Sequence, residues 1–519
     1  MADEIELKLS VDPQRLSGLS RARWLSRYGG GAGDEARLVS VYYDSDDLKL
    51  RARRAMLRIR EGDGARVQTF KAGAPGKGSG SALGRMECEG PVSLPVPQLS
   101  RLPRKIRKRF GLEKLGPKLK PVFETTVART TVPLNYQGST LELAIDRGEI
   151  KTGRKRAPIS EIEIELKRGR PEAVIALGRE LAKKLDAAYG PASKAERGYA
   201  LREGETDCPV FAEPIALDAA MKTGAAFQAI AMACLHHFAR NRDAVIAGNG
   251  EAIHQMRVGL RRLRAAISLF KEVLRGPETE AIKASLKWLT EELGPARDMD
   301  VLAGKGIASL VDEGAEALGD AVPVLKADLE ARRDRGFARA KAAVDSERFR
   351  KLVLDLVFWI NGGRWAHSHV ALTRSRRAMP ARRFAAQELT RRVKKICKRV
   401  GKVEELSPRQ RHKLRIAVKK MRYATGFFES LFWDRAKRIA EFRGALKALQ
   451  SALGDLNDIQ VHEKLAADFA GAGHRGPRAV PEAFAMGVLA GTERAKRAGL
   501  LKSARRGGKR LKHARGYWG

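Results

Sequence analysis

Two short stretches place acids where chemistry could be done. In "EIELKLSV", residues 4 to 11, Glu4, Glu6 and Lys8 share one face of a strand, and Ile5, Leu7 and Leu9 the other. In "EIEIELK", residues 161 to 167, Glu161, Glu163, Glu165 and Lys167 repeat the arrangement. Carboxylate oxygens offered in rows suit hard divalent cations. Crowded into a dry interior they repel one another unless cations meet them. Other short runs supply the opposite charge: Arg58 and Arg60 in "MLRIREG", Lys71 in "TFKAG" and Arg129 in "ETTVART". A flat antiparallel sheet with a solvated face would also alternate charged and apolar residues. Solvated faces mix Thr, Ser and Gln with charge, whereas these strands sort into acid-bearing and base-bearing ones. That sorting points to a closed barrel with a charged lumen.

A second kind of chemistry sits in a repeat. "HQMRVGLRRLRAAISLFKEVL" from residue 254 returns as "HKLRIAVKKMRYATGFFESLF" from residue 412. His254 aligns with His412, Arg257 with Arg415, Arg261 with Lys419, Arg264 with Arg422 and Phe270 with Phe428. On a helix with His254 at zero, Arg257, Arg261 and Arg264 fall near about 300°, 340° and 280°, beside an apolar stripe of Met256, Leu260, Leu263, Ile267 and Phe270. Solvated helix faces usually mix signs to gain i,i+4 pairs. These stripes contain no acid, twice over, so they predict anion binding. A second block follows each helix, "LKWLTEELGPARDMDVL" from Leu286 and "LKALQSALGDLNDIQVH" from Leu446, in which Gly294 matches Gly454 and Asp298 matches Asp458.

The elements that must position these residues divide near residue 205. Before it the chain reads as strands punctuated by glycine and proline; after about residue 215 it reads as long helices rich in Ala, Leu, Arg and Lys. "REGETDCPVFAEP", residues 202 to 214, is the expected linker, and a fragment from residue 205 is expected to fold alone. With 100 Lys and Arg against 61 Asp and Glu in 519 residues, the net charge is +39, which favours an anionic partner. Aromatics at 6% are sparse for stacking on single strands, and no recognition-helix signature points to nucleic acid. The cysteines, Cys88, Cys208, Cys234 and Cys397, form no CxxC and suggest a reducing compartment. The acidic start lacks the apolar core of a signal peptide, and no run of about 18 apolar residues suggests a membrane span. A cytoplasmic protein is expected, with no membrane partner.

The ordered series "EIELK", "LRIR", "TFK", "RMECE", "VART", "AIDRGEI", "SEIEIELK" and "SKAERGY" resembles the CYTH superfamily, the triphosphate tunnel metalloenzymes. The resemblance implies an α+β fold over residues 1–204: an eight-stranded antiparallel β tunnel with flanking helices that hydrolyses triphosphate compounds with Mg²⁺ or Mn²⁺. Matched residue by residue, Lys8, Arg58, Arg60, Lys71, Arg129, Lys194 and Arg197 clamp the phosphoryl groups. Glu4, Glu6, Asp146, Glu161 and Glu163 hold metal, and Glu4, Glu6 and Lys8 carry the catalytic role. Glu87, Glu89 and Glu165 are secondary candidates that pair with lumen bases. The repeat resembles the CHAD domain over residues 215–510, which implies two pseudo-symmetric four-helix bundles and a basic surface for long-chain inorganic polyphosphate. Its expected contacts are His254, Arg257, Arg261, Arg264, His412, Arg415, Lys419 and Arg422, with binding that strengthens as pH falls through about 6.5 if the two histidines protonate on the ligand. The tail "LLKSARRGGKRLKHARGYWG" is a further nonspecific anion site, while His236 and His237 read as structural and "HSH" at 367 to 369 as incidental.

Together these readings predict an inorganic triphosphatase fused to a polyphosphate-binding module, with possible association with polyphosphate granules. The rivals are an adenylate cyclase or thiamine triphosphatase in the same tunnel, and a polyphosphate-binding scaffold with weak or no hydrolase activity.

Overall fold

The computed structural model describes residues 6–29, 33–62, 64–73, 85–205, 207–302, 321–471, 479–514 and 516–519. Glu4 lies outside them. The chain folds as two units that are not collinear with the sequence. The first holds Met1–Glu213, Leu235–Asn249 and Ser346–His367; the second holds Pro214–Cys234, Gly250–Asp345 and Ser368–Gly519.

The first unit is built on an antiparallel sheet of nine strands, not the expected eight: β1 (Glu6–Ser10), β2 (Asp34–Asp44), β3 (Ala55–Gly62), β4 (Ala65–Gly73), β5 (Arg85–Pro91), β6 (Lys120–Tyr136), β7 (Ser139–Thr152), β8 (Lys155–Arg168) and β9 (Ala188–Tyr189). The order is β5-β4-β3-β2-β6-β7-β8-β1-β9. The extra strand is the two-residue β9, too short to leave a period-two signal in the sequence. The long hairpin between β6 and β7 turns at Gln137 and Gly138, both with positive φ, the backbone a two-residue hairpin loop requires to match strand twist.

One face of each strand is apolar. In β1, Leu7 and Leu9 are buried between Glu6, Lys8 and Ser10. Helix α1 (Pro171–Leu185) covers this face with Val174, Leu177 and Leu181. Its Gly178 lies so close to Leu7 that a β-carbon there would stand 2.2 Å from the leucine. Over β3 and β4, Leu57, Ile59 and Phe70 form a core with Ile106 and Phe110. The charged face is covered by α2 (Lys194–Glu203), which contacts β6, β7 and β8. Gly198 permits this approach: a β-carbon there would strike the Phe123 ring.

Two pieces from the second half of the sequence complete this unit. One is the end of α3 (Thr223–Ala239) from Leu235 onward. The other is a later helix, Glu347–Gly362, which buries Leu352, Leu356 and Phe358 and packs against α1 and β9.

The second unit is helical. The repeat supplies α4 (Gly250–Leu269), whose aligned partner is the helix Pro408–Phe428. After α4 come α5 (Pro277–Glu292) and α6 (Gly294–Val301), then α7 (Ala321–Asp345); the helix Glu347–Gly362 is α8, followed by α9 (Ala381–Val400) and α10 (Pro408–Phe428). The chain ends with α11 (Ala436–Ala470), α12 (Ala479–Ala495) and α13 (Arg497–His513). The duplication is visible in the core, where the aligned Phe270 and Phe428 approach to 6.0 Å and Phe270 stacks on Phe384 at 4.8 Å. It is broken in one place. Block two of the first repeat is two helices, α5 and α6, whereas in the second repeat it is part of the continuous 35-residue α11. Pro295 stands where the second repeat has Asp455; proline lacks the donor to continue a helix but suits the first turn of a new one. The basic tail is not loose. It forms α13, packed so closely that a β-carbon on Gly507 would stand 3.1 Å from the Leu449 backbone, and Tyr517 beyond it is fully buried.

Candidate functional site

The charged face of the sheet gathers the acids into one cluster. Register places Asp146 opposite Glu161 across β7 and β8, and Lys8 opposite Glu163 across β1 and β8. Asp146, Glu161 and Glu163 each offer a carboxylate oxygen within 4.8 Å of the others. Asp146 and Glu161 are buried. Three converging carboxylates survive there because bases enter from three elements. From β6, Arg129 donates to Asp146 through Nε at 2.7 Å and Nη2 at 2.6 Å, and through Nη2 to Glu163 at 2.7 Å. From β1, Lys8 Nζ lies 2.6 Å from Glu163 and 3.5 Å from Glu161. From the first turn of α2, Lys194 Nζ reaches Asp146 at 2.6 Å and Glu163 at 3.0 Å, and also pairs with Glu161. Arg197, one turn on, lies 3.6 Å from Glu161.

The titration behaviour follows from this crowding. Burial would lower the Lys8 ammonium, and Lys194 opposes it too, but Glu163, Glu161 and Glu6 outweigh both and raise it. The same contest, won by Glu163, Asp146 and Glu161, raises Lys194. Glu163 is held far below the ordinary carboxylate range: burial opposes this, and Lys8, Lys194 and Arg129 overcome it. Glu163, Lys8 and Lys194 therefore stay ionised at neutral pH.

Three oxygen donors in this arrangement fit a hard dication such as Mg²⁺ or Mn²⁺. Glu161 Oε1 adds a specific sign. It is buried and receives no hydrogen bond of good geometry, although the Lys194 ammonium lies against it as an ion pair. Glu6 stands at the margin, exposed, opposite Glu165 and 3.9 Å from Lys8. Glu165 pairs with Lys167 at 2.8 Å.

The remaining predicted bases lie on β3 and β4 and are met by the acids of β5. Lys71 is 2.7 Å from Glu87, and Arg60 is 3.4 Å from Glu89. Burial lowers the Arg60 guanidinium, as do nearby Arg58 and Arg129, so the bases of β3 and β6 face a shared space. Two neutral residues also belong to this face. The Tyr42 hydroxyl bonds Arg58, opposite it in register, and Thr69 donates to Glu89 at 2.7 Å. Their only signal was parity: each occupies the charged side of a strand without carrying charge.

In the second unit, the basic stripes of α4 and α10 come together. Arg257 is 3.6 Å from Asp298 and donates to the Thr290 carbonyl at 3.3 Å; the aligned Arg415 is 4.0 Å from Asp458. Arg264 donates to Thr290 Oγ1 at 3.3 Å, and Arg422 lies over the Tyr423 ring. His412 Nδ1 shares a 2.7 Å hydrogen bond with Asn457 Oδ1. Arg261 Nε, Arg415 Nε and His254 Nδ1 are buried and find no hydrogen-bond partner among the described residues. Lys419 is pulled down to about 8, by burial first and then by Arg415, Arg261 and Arg422, with Asp458 opposing. His254 is also lowered, by burial and then chiefly by Arg297, with Glu251 opposing. Its protonation is thus displaced below its ordinary range, by burial first and then by the positive charge of Arg297, with smaller contributions from Arg261 and Arg257.

A CYTH domain model matches residues 2–199, and a CHAD domain model matches residues 229–467. Over 203 residues the chain is 32% identical to an inorganic triphosphatase of Haemophilus influenzae; the match takes 39% of this chain and 55% of that protein, so the chain spans about half the length of this curated relative. The crystal structure of a CHAD domain from the plant Ricinus communis is similar at a TM-score of 0.51 and 32% identity, covering 58% of this chain and 96% of that one. Among the described residues no helix is long and apolar enough to cross a membrane.

Proposed function

The chain carries a CYTH domain followed by a CHAD domain, and from that premise we propose that it hydrolyses inorganic triphosphate on the charged face of its sheet and binds long-chain inorganic polyphosphate through its helical unit. The observation that carries the first half is the cluster of Asp146, Glu161 and Glu163, with an oxygen from each within 4.8 Å of the others, beside the bases of β1, β3, β4, β6 and α2. The inorganic triphosphatase activity named for the Haemophilus relative supports the same reading.

Asp146, Glu161 and Glu163 would hold Mg²⁺ or Mn²⁺, with Glu4 and Glu6 from β1 and its approach assigned to the same role. When bound, such an ion neutralises phosphoryl oxygens and polarises the phosphorus toward attack. The chain's own residues do the rest. Arg58, Arg60 and Lys71 take successive phosphoryl groups, Arg in bidentate fashion. To do so, Arg60 and Lys71 must leave Glu89 and Glu87, so substrate exchanges one set of charge partners for another and little desolvation is added. Lys8, Lys194, Arg129 and Arg197 compensate the carboxylates and reach the reacting phosphoryl group, where positive charge fixed in advance needs no reorganisation. Glu4 and Glu6, with Lys8, are assigned to the reacting end.

The helical half of the proposal rests on the buried Nε donors of Arg261 and Arg415, which find no hydrogen-bond partner among the described residues. Such donors are costly unless a ligand accepts from them. A polyphosphate chain supplies acceptors without a base or sugar to place. We place the protein in the cytoplasm, in association with polyphosphate granules. Phosphate release from triphosphate, measured with Mg²⁺, with Mn²⁺ and with chelator, tests the enzyme. No release with either metal would overturn it.

A further inference from the structure

Helix α2 begins with a reciprocal cap: Ser193 Oγ accepts from the Glu196 amide at 3.2 Å, and Glu196 Oε2 accepts from the Ser193 amide at 2.9 Å. This cap holds the turn that presents Lys194 to the acid cluster. The second oxygen of Glu196 is gripped from outside the sheet region. Arg240 Nη1 lies 3.0 Å from Glu196 Oε1. One turn earlier, His236 Nε2 shares a 2.5 Å hydrogen bond with the Tyr189 hydroxyl, and the two rings lie nearly parallel at 13° with centroids 5.7 Å apart. Tyr189 is in β9, paired with Leu9 of β1, and the amide of Gly190 donates to the Lys8 carbonyl at 3.4 Å.

His236 and Arg240 are four residues apart and project from the same helical face. They therefore hold both ends of a single connection, Tyr189 to Glu196, which carries Lys194 and runs beside Lys8. The end of α3 that bears His236 and leads into Arg240 is itself anchored, since Phe238 meets Phe349 of α8 edge to face at 6.5 Å. Both residues lie beyond the CYTH match, which ends at residue 199.

We propose that His236 and Arg240 are positioning residues for the triphosphate site, fixing the Tyr189–Glu196 connection and thereby the placement of Lys194 and Lys8 over Asp146, Glu161 and Glu163. The inference rests on the triphosphatase reading of that site. It means the catalytic face is completed by the half of the chain that contains the repeat. Loss of an outer partner of this kind typically costs 10–100-fold.

The test uses the full-length protein. Arg240→Met should lower kcat/KM for triphosphate by about 10-fold, with most of the change in KM, and Arg240→Lys should restore most of it. Tyr189→Phe, which keeps the ring and removes the hydroxyl, should lose about 3-fold, as expected for one neutral hydrogen bond. In a Lys194→Met background, Arg240→Met should cost nothing further, because the effect passes through Lys194. Equal losses in both backgrounds, or no loss from Arg240→Met alone, would overturn the proposal. Hydrogen exchange supplies a readout independent of turnover: Arg240→Met should speed exchange at residues 188–197 while β6, β7 and β8 stay protected. A wild-type protein without triphosphatase activity would defeat the reading of the site and leave this measurement standing; unchanged exchange at 188–197 would defeat the clamp.

Discussion

The molecule arranges positive charge in two ways. On the sheet, most of the bases have a carboxylate: Lys8, Lys194 and Arg129 share Asp146, Glu161 and Glu163, while Lys71 and Arg60 hold Glu87 and Glu89, and Arg58 Nε alone of these bases is buried without a hydrogen-bond partner among the described residues. On the paired helices α4 and α10, basic residues crowd one another, Arg257 and Arg415 each meet one acid at 3.6 and 4.0 Å, and Arg261 Nε and Arg415 Nε find no hydrogen-bond partner among the described residues. On the proposed reading, the first arrangement is a compensated interior that a dication and its substrate would enter by exchange, and the second holds repulsion that an anion would relieve directly. The difference teaches that basic residues set opposite acids and basic residues set beside one another are suited to different chemistry.

Removing divalent metal should separate the two most completely. Chelator should abolish phosphate release from triphosphate and leave polyphosphate binding intact, and loss of both together would collapse the contrast. Next in size, Glu161→Gln should cut turnover by about 100-fold or more, since a neutral amide is a poorer ligand for a hard dication, with polyphosphate affinity unchanged. Asp146→Ala adds a stability arm: removing one charged acceptor from half-buried Arg129 and Lys194, which keep Glu163, should cost about 1.5–3 kcal/mol, read as a lowered urea midpoint. Arg261→Glu with Lys419→Glu should weaken polyphosphate binding by about 100-fold, by introducing like charge against the ligand, and leave turnover within about twofold. Binding should also fall steeply with salt, by analogy with counterion release.

The smallest effect is the most diagnostic. Lys419 titrates near 8 in the free protein, so it is charged below that pH and neutral above it. An anion favours the charged form. Affinity should therefore be full near pH 7 and decline as pH rises through 8 to 9, by up to about 10-fold, and Lys419→Arg should flatten the step. A profile that Lys419→Arg does not alter would move the site away from α10.

The parts of this arrangement that were legible in the sequence are those with a period. Alternation along β1 and β8 separated Glu6 and Lys8 from Leu7 and Leu9, and the repeat in α4 and α10 placed Arg257, Arg261 and Arg264 on one stripe. Pairing across the sheet was not legible. The sequence pairs Glu87 and Glu89 with lumen bases but does not say which, nor that Lys194 would sit against three carboxylates, because those contacts depend on register and packing between distant elements. Tyr42 was missed for want of charge, and β9 for want of length. His236 read as structural since a lone histidine on an apolar helix carries no spacing signal; its partner, Tyr189, is 47 residues away. The lowered titration of His254 likewise depends on Arg297 of α6 coming close in space.

The return of residues 346–367 to the first unit has a consequence for how the protein is made. The last strand of the sheet ends at Tyr189, but α8, whose Phe358 comes to 3.4 Å from a β-carbon built on Gly178 of α1, does not follow until residue 347. At translation speeds of about 5–20 residues per second, the apolar outer surface of α1 waits roughly 10–35 s for its cover. Through that interval the nascent sheet offers a sticky flank, and the ribosome-bound chain must be shielded from its neighbours until the helix that seals it emerges.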